Sequence, residues 1–154
     1  MGAPPNDIGI NPFTSDRRLF EGGVATATGL KYGMVAVGDT ATTNARDVKP
    51  PAGAAANNVR GVISDQGDPN ASGGFAVGDE FAICVNGLVE VLLDAGASCV
   101  KDTPAITSGT AGTVKPWTVE TNVDIVGNFA QTYDNTAGAA PVLVSLSVNV
   151  YRKT

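Results

Sequence analysis

Phe81-Ala82-Ile83-Cys84-Val85-Asn86-Gly87-Leu88-Val89-Glu90-Val91-Leu92-Leu93 is the stretch whose reading decides the fold. Its odd positions Phe81, Ile83, Val85, Val89, Val91 and Leu93 are apolar, with Gly87 between them, while Ala82, Cys84, Asn86, Leu88, Glu90 and Leu92 are mixed. Side chains on a strand alternate between faces, so the pattern predicts one apolar inward face and one mixed outward face. A helix would spread the same residues round its circumference. A straight strand of this length would span about 43 Å, far beyond the usual strand of about 5–6 residues. Gly87 is therefore the expected bend, letting one strand serve two parts of a curved sheet.

Working outward, Val142 to Tyr151 alternates as cleanly. Val142, Val144, Leu146, Val148 and Val150 point one way, and Leu143, Ser145, Ser147, Asn149 and Tyr151 the other. This predicts a half-buried antiparallel strand. Shorter strands are expected at 24–30, 34–37, near Val48, at 59–64, 100–106, 113–119 and 124–133, with long loops at 40–58 and 65–78. No window combines helical spacing with caps, so helix should be minor. The fold class read here is all-β: a single compact sandwich or barrel-like domain over 22–154, preceded by an extended N-terminal arm over 1–21.

That arm has a distinct character. Pro4, Pro5 and Pro12 remove backbone donors, yet Ile8, Ile10, Phe13, Leu19 and Phe20 are apolar, with Arg17-Arg18 beside them. Disordered termini are usually poor in large apolar residues. Ile8, Ile10, Phe13, Arg17, Arg18 and Phe20 are thus read as anchors that bury against another subunit.

An internal repeat is visible. Val48-Lys49-Pro50 recurs as Val114-Lys115-Pro116, and each precedes a glycine-containing strand, Val59-Arg60-Gly61-Val62-Ile63 and Ile125-Val126-Gly127-Asn128-Phe129. Each strand then leads through a polar loop into a strongly alternating one. Leu30-Lys31 and Val100-Lys101 take comparable places. The repeat predicts a duplicated β-unit, about 30–93 and 100–151.

Composition bounds the function. The 154 residues fit one domain, and 43% hydrophobic with 16% charged residues describes a folded, low-charge chain. A net charge of −5 argues against nucleic acid as a partner, which needs clustered Lys and Arg. No apolar run approaches the roughly 20 residues of a membrane helix, and no basic-then-apolar leader is recognisable. The sequence contains no histidine, which removes the commonest general base and zinc ligand. Cys84 and Cys99 lack metal spacing and are read as buried thiols. No catalytic set, cofactor loop or metal site is expected. Asp68-Pro69-Asn70-Ala71-Ser72-Gly73 with Asp79 has the oxygen spacing of a calcium loop, but it lacks the terminal Glu and flanking helices and reads as a turn. Trp117, the single tryptophan, is read as a packing residue.

Several segments together resemble a known family. These are Gly22-Gly23-Val24, Met34-Val35-Ala36-Val37-Gly38-Asp39, Arg60-Gly61-Val62-Ile63, Gly78-Asp79 leading into Ala82 to Val91, and Ile125-Val126-Gly127 through Val144-Ser145-Leu146. Over roughly 22–151 the chain resembles the capsid decoration (cement, or head-stabilising) proteins of tailed bacteriophages. The resemblance implies a non-enzymatic virion protein on the outer capsid surface. Its implied partners are the major capsid protein and itself, as a homotrimer. It would cement neighbouring subunits against the pressure of packaged DNA. The alternative is a trimeric receptor- or carbohydrate-binding β-domain of a tail or head fibre. That reading calls for exposed loop aromatics, and the loops at 40–58 and 65–78 hold only Phe75.

Overall fold

The computed structural model describes residues 18–64, 74–109 and 112–154. Within them the protein is all-β. Its strands are β1 (Leu19–Ala25), β2 (Val35–Gly38), β3 (Asp47–Lys49), β4 (Val59–Ile63), β5 (Glu80–Leu93), β6 (Ser98–Cys99), β7 (Pro104–Thr107), β8 (Val114–Pro116), β9 (Val123–Phe129), β10 (Tyr133–Asp134) and β11 (Val142–Lys153). Strands β6 and β10 form a small ribbon, and the other nine form one sheet. The sheet runs β11-β9-β7-β8-β5-β1-β3-β2-β4, with further pairings of β5 to both β11 and β4. Those two pairings close it into two five-stranded rings with β5 in common.

Strand β5 does what its length and Gly87 predict. Its first half pairs with β1, from Glu80↔Val24 to Asn86↔Leu19, and with β4 at Ile83 and Cys84. Its second half pairs with β11, from Asn86↔Asn149 to Leu93↔Val142, and with β8 at Leu93↔Val114. The change of ring falls at Gly87, whose φ is +112°. A Cβ there would sit 2.8 Å from Arg18 Cα, so both the dihedral and the close approach of the residue leading into β1 require glycine.

The two rings are wound alike. The first is β1-β3-β2-β4-β5 and the second β5-β8-β7-β9-β11, each closed on itself. Both contain one parallel pair, between the first and third strands: Ala25↔Val48 in one, Leu93↔Val114 in the other. The valines are those of the repeated Val-Lys-Pro. Ala36↔Gly61 in the first ring corresponds to Ala105↔Gly127 in the second, and Val37↔Lys49 to Ile106↔Lys115. Asn58 and Asn122, with φ of 61° and 55°, enter β4 and β9 through the same left-handed turn. The loop entering β2 repeats too: Met34 N–H donates to Lys31 O and Ile63 N–H to Met34 O, as Thr103 N–H does to Val100 O and Phe129 N–H to Thr103 O. This places Leu30 opposite Cys99, one residue from the Leu30–Val100 correspondence expected from sequence.

The rings pack as one body. Ala25, Ala36, Val48, Ile63, Phe81 and Ile83 fill the first ring, with Phe75 stacked on Phe81 at 4.6 Å. A larger cluster joins the interior of the second ring (Val89, Val91, Leu93, Phe129, Val144, Leu146 and Val148) to Val35, Val37, Val59, Val62 and Cys84 on the outer side of the first. Both faces of β2 and β4 are thereby covered, and this is why Val35 to Gly38 is buried throughout. Cys84, expected on an outward face, is fully buried for the same reason. The loop between β3 and β4 crosses to the second ring. There Ala55 N–H donates to Thr107 O, Asp124 N–H to Ala56 O, and Val59 N–H to Asp124 Oδ2 at 3.0 Å. In return Val35 N–H donates to Gly112 O.

Strand boundaries differ from expectation mainly at the start. The strand expected at 24–30 is β1 at Leu19–Ala25, so Leu19, Phe20 and Glu21 belong to the barrel and not to an arm. Their close pairing with β5 favours Gly23 inside the strand: a Cβ there would lie 2.6 Å from Ile83 Cδ1 and 3.0 Å from the Phe81 ring.

Candidate interaction surface

The outward faces of β5 and β11 form one continuous surface. Across paired strands it carries Leu19–Asn86–Asn149, then Leu88–Ser147–Asn128, then Glu90–Ser145, then Leu92–Leu143, with Tyr151 beyond Asn149. The alternation responsible is that of the two longest strands. The opposite positions Val89, Val91, Val144, Leu146 and Val148 are buried. From Asn86 to Leu92 and from Leu143 to Tyr151 its outward positions hold one charge, Glu90, which accepts the Tyr32 hydroxyl at 2.7 Å. Of the exposed large apolar side chains of the described residues, Leu19 (59% exposed), Leu88, Leu143 and Tyr151 (each near 42%) lie here, while Val77, Val100, Val119 and Tyr133 are scattered elsewhere. Depletion of charge with aromatic and apolar side chains marks the centre of protein–protein contacts.

Of the residues expected to anchor the chain, Ile8, Ile10, Phe13 and Arg17 lie outside the described residues. Arg18 stacks its guanidinium over Phe20, 5.3 Å from the ring centroid, and Phe20 packs half-buried against the larger cluster. These two residues meet at the barrel wall beside Gly87. The first half of the calcium-like loop, 68–73, also lies outside the described residues. Its last member, Asp79, accepts Ala76 N–H at 2.8 Å and closes a turn.

A second feature is a cavity of about 330 Å³ lined by Gly38, Asp39, Thr40, Asn44, Asn58 and Arg60, among others, with no aromatic side chain. At its rim the Asp39 carboxyl is held below its ordinary range by the Ala41 N–H, the Thr26 hydroxyl and the Lys49 ammonium. Across the molecule, the loop after β8 is braced by Glu120. Burial pushes this carboxyl up, but the N–H groups of Glu120, Thr118 and Val119 and the Lys115 ammonium outweigh it and hold it at about 2. Trp117 is a packing residue as read. It covers Ile106, Val123 and Ile125, donates Nε1–H to Glu120 O at 2.7 Å, and carries Lys153 5.0 Å from its ring centroid. Cys84 and Cys99 are buried free thiols, both pushed up by desolvation.

Sequence reading had Leu88, Leu143 and Tyr151 facing outward but did not join them into a surface. The signal available was the run Ser145, Ser147, Asn149 opposite Leu88, which is polar without being charged.

No protein-family model matches the chain, and no curated protein matches it. Among solved structures, the N base of the head fibre gp8.5 of bacteriophage phi29 is similar at a TM-score of 0.44 and 15% identity, over 86% of this chain and 94% of that one.

Proposed function

We propose that this protein is a structural component of a tailed-phage virion that binds the outer capsid surface and cements neighbouring major capsid protein subunits, acting as a homotrimer. The observation that carries the reading is the broad, charge-poor face of β5 and β11, which suits contact with protein and not with nucleic acid. The sequence resemblance over 22–151 supports it. A rigid closed barrel also suits a protein whose work is to resist force without catalysing a reaction. In the rival reading as a glycan receptor, the cavity at Gly38–Arg60 would be the binding site, and its lining lacks the aromatic platform such sites use.

The test is co-sedimentation with capsids assembled from the major capsid protein of the same virion. Binding should be saturable, and bound heads should release DNA at a higher temperature than bare ones. Deleting residues 2–17, and not the β1 residues that follow, should leave a folded barrel with weakened binding. Failure of the intact chain to bind capsids, with binding to a glycan array instead, would select the rival.

We further propose that the two rings descend from one duplicated unit sharing its junction strand. The common strand order, the matched parallel pairs and the repeated Val-Lys-Pro support this. Matched substitutions at Gly61 and Gly127 test it.

A further inference from the structure

Among the described residues, positions 88–91 of β5 pair with β11 on one edge, Leu88 with Ser147 through Val91 with Val144, and with no strand on the other. That second edge is bounded at both ends. At one end β1 begins at Leu19↔Asn86, and the Cβ position of Gly87 lies 2.8 Å from Arg18 Cα. At the other, Leu92 N–H donates to Gly33 O and Asp94 N–H to Val114 O. The N–H groups of a strand alternate between its two edges. Leu88 and Glu90 therefore turn their N–H and C=O groups to this same edge, away from β11. Such a row is a template for one more strand.

The register of β1 says which strand fits. It runs antiparallel to β5, so counting back from Leu19↔Asn86 sets Arg17 against Leu88, Asp16 against Val89, Ser15 against Glu90 and Thr14 against Val91. This stretch contains no proline, so every donor it needs is present. Pro12 falls opposite Leu93, where the edge is already taken by β8. A second observation points the same way. Among the described residues Arg18 Nε is buried with no hydrogen-bond partner, although the guanidinium rests over Phe20. A buried donor left unpaired is destabilising. Side chains two apart on a strand share a face, so in this register Asp16 stands beside Arg18 and offers it a carboxylate.

We propose that the edge of β5 over 88–91 is a strand-docking site whose occupant is residues 14–17 of the same chain, with the Asp16 carboxylate accepting Arg18 Nε–H. The inference deepens the reading above by fixing where the arm leaves the barrel: Phe13, Ile10 and Ile8 start from the end of β5 where Tyr32 meets Glu90. It rests on the arm of that reading and not on its capsid partner.

The test is amide hydrogen exchange of the full chain, followed residue by residue by NMR. The N–H groups of Leu88 and Glu90 should exchange at least about tenfold more slowly in the wild type than in a chain lacking residues 2–17. Those of Val89 and Val91, which turn to β11, should be unchanged. Point variants read the register without shortening the chain. Ser15→Pro removes the N–H that faces Glu90 and should abolish the protection, whereas Thr14→Pro removes one that faces away and should keep it. Asp16→Ala should lower the protection and Asp16→Asn, which retains a carbonyl acceptor, should restore most of it. Equal exchange with and without residues 2–17 overturns the site. Protection that arises only at high concentration gives the edge to a second chain, and protection kept by Ser15→Pro refutes the register; either overturns the assignment. An Asp16→Ala chain as protected as the wild type overturns the Arg18 contact. None of these measurements involves a capsid, so a chain that fails to bind capsids can still show the docked strand.

Discussion

Thr26 donates its hydroxyl to Asp39 Oδ2 across 2.7 Å, tying the end of β1 to the end of β2. At the matching place in the second ring, Ser108 donates to Asp94 Oδ2 across the same 2.7 Å. Thr26 corresponds to Asp94 and Asp39 to Ser108, because Thr26 N–H donates to Val48 O as Asp94 N–H does to Val114 O, and Asp39 N–H to Asp47 O as Ser108 N–H does to Thr113 O. Hydroxyl and carboxylate have changed places while the bond has stayed.

That exchange predicts a compensating pair. Thr26→Asp alone sets two carboxylates together and should lower stability by about 1–2 kcal/mol, more at neutral than at acid pH. Adding Asp39→Ser, which recreates the second ring's arrangement, should recover part of the loss, with the Lys49 and Ala41 contacts of Asp39 still missing. Urea unfolding of both variants reads this. A double variant weaker than the sum of the single substitutions would show that the two sites are not equivalent.

Gly61→Ala and Gly127→Ala should be alike in cost. A Cβ on Gly61 would lie 2.2 Å from Cys84 O, and one on Gly127 would lie 2.1 Å from Ser147 O, and those carbonyls occupy matching positions on β5 and β11. Neither backbone can give way without opening a strand pair. A loss of about 2–4 kcal/mol is expected for each. Gly53→Ala, with nothing within 4 Å, should be near neutral in the same thermal melts.

Asp124 is buried and joins the rings, accepting Val59 N–H at 3.0 Å and Arg152 Nε–H at 2.6 Å. Asp124→Ala leaves the buried Val59 N–H without a partner and should cost about 1–3 kcal/mol, whereas Arg152→Met should cost less because Val59 keeps its partner. Melting temperatures in that order check it. A reversed order would make the ion pair, and not the bridge to Val59, the dominant contact.

Glu120 makes the loop after β8 sensitive to acid. Its folded value of about 2 lies below the ordinary 4.5, so its contribution is complete above 4.5 and is lost as pH falls toward 2. Trp117 reports on the same loop through its bond to Glu120 O. Its fluorescence should shift over that acid range at a temperature where the barrel stays folded. Glu120→Gln should abolish the titration, and a midpoint near 4.5 in the wild type would contradict the bracing geometry.

The buried thiols should be slow to react. Cys84 and Cys99 are essentially inaccessible and desolvation disfavours their thiolates. A thiol reagent should label both within the time of unfolding in denaturant and neither in native buffer over the same interval.

Much of this architecture was legible because β5 and β11 alternate large apolar residues with others, a pattern that only a half-covered strand needs. The Val-Lys-Pro repeat was legible for a different reason: it sits where a third strand must lie parallel to the first. The start of the barrel was not. Leu19 and Phe20 follow prolines and precede Gly22-Gly23, so they read as an arm, and what Gly23 accommodates, the bulk of Ile83 and Phe81 opposite it, is distant in sequence. Closure was hidden too, because the parallel contacts that complete each ring involve one or two residue pairs. The outward identity of Leu88 and Leu143 could be read from alternation. The burial of Cys84 was expected of a thiol but not of its outward register, since what covers it is the second ring.

Because β5 is the wall of two barrels at once, the polypeptide has no seam. Cutting anywhere between the rings leaves at least one of them missing a stave, so neither half is a spare that could be lost, swapped or carried on a tether. Tension applied at one end is handed through fourteen residues of a single strand to the other, and the figure of eight yields as a whole or not at all.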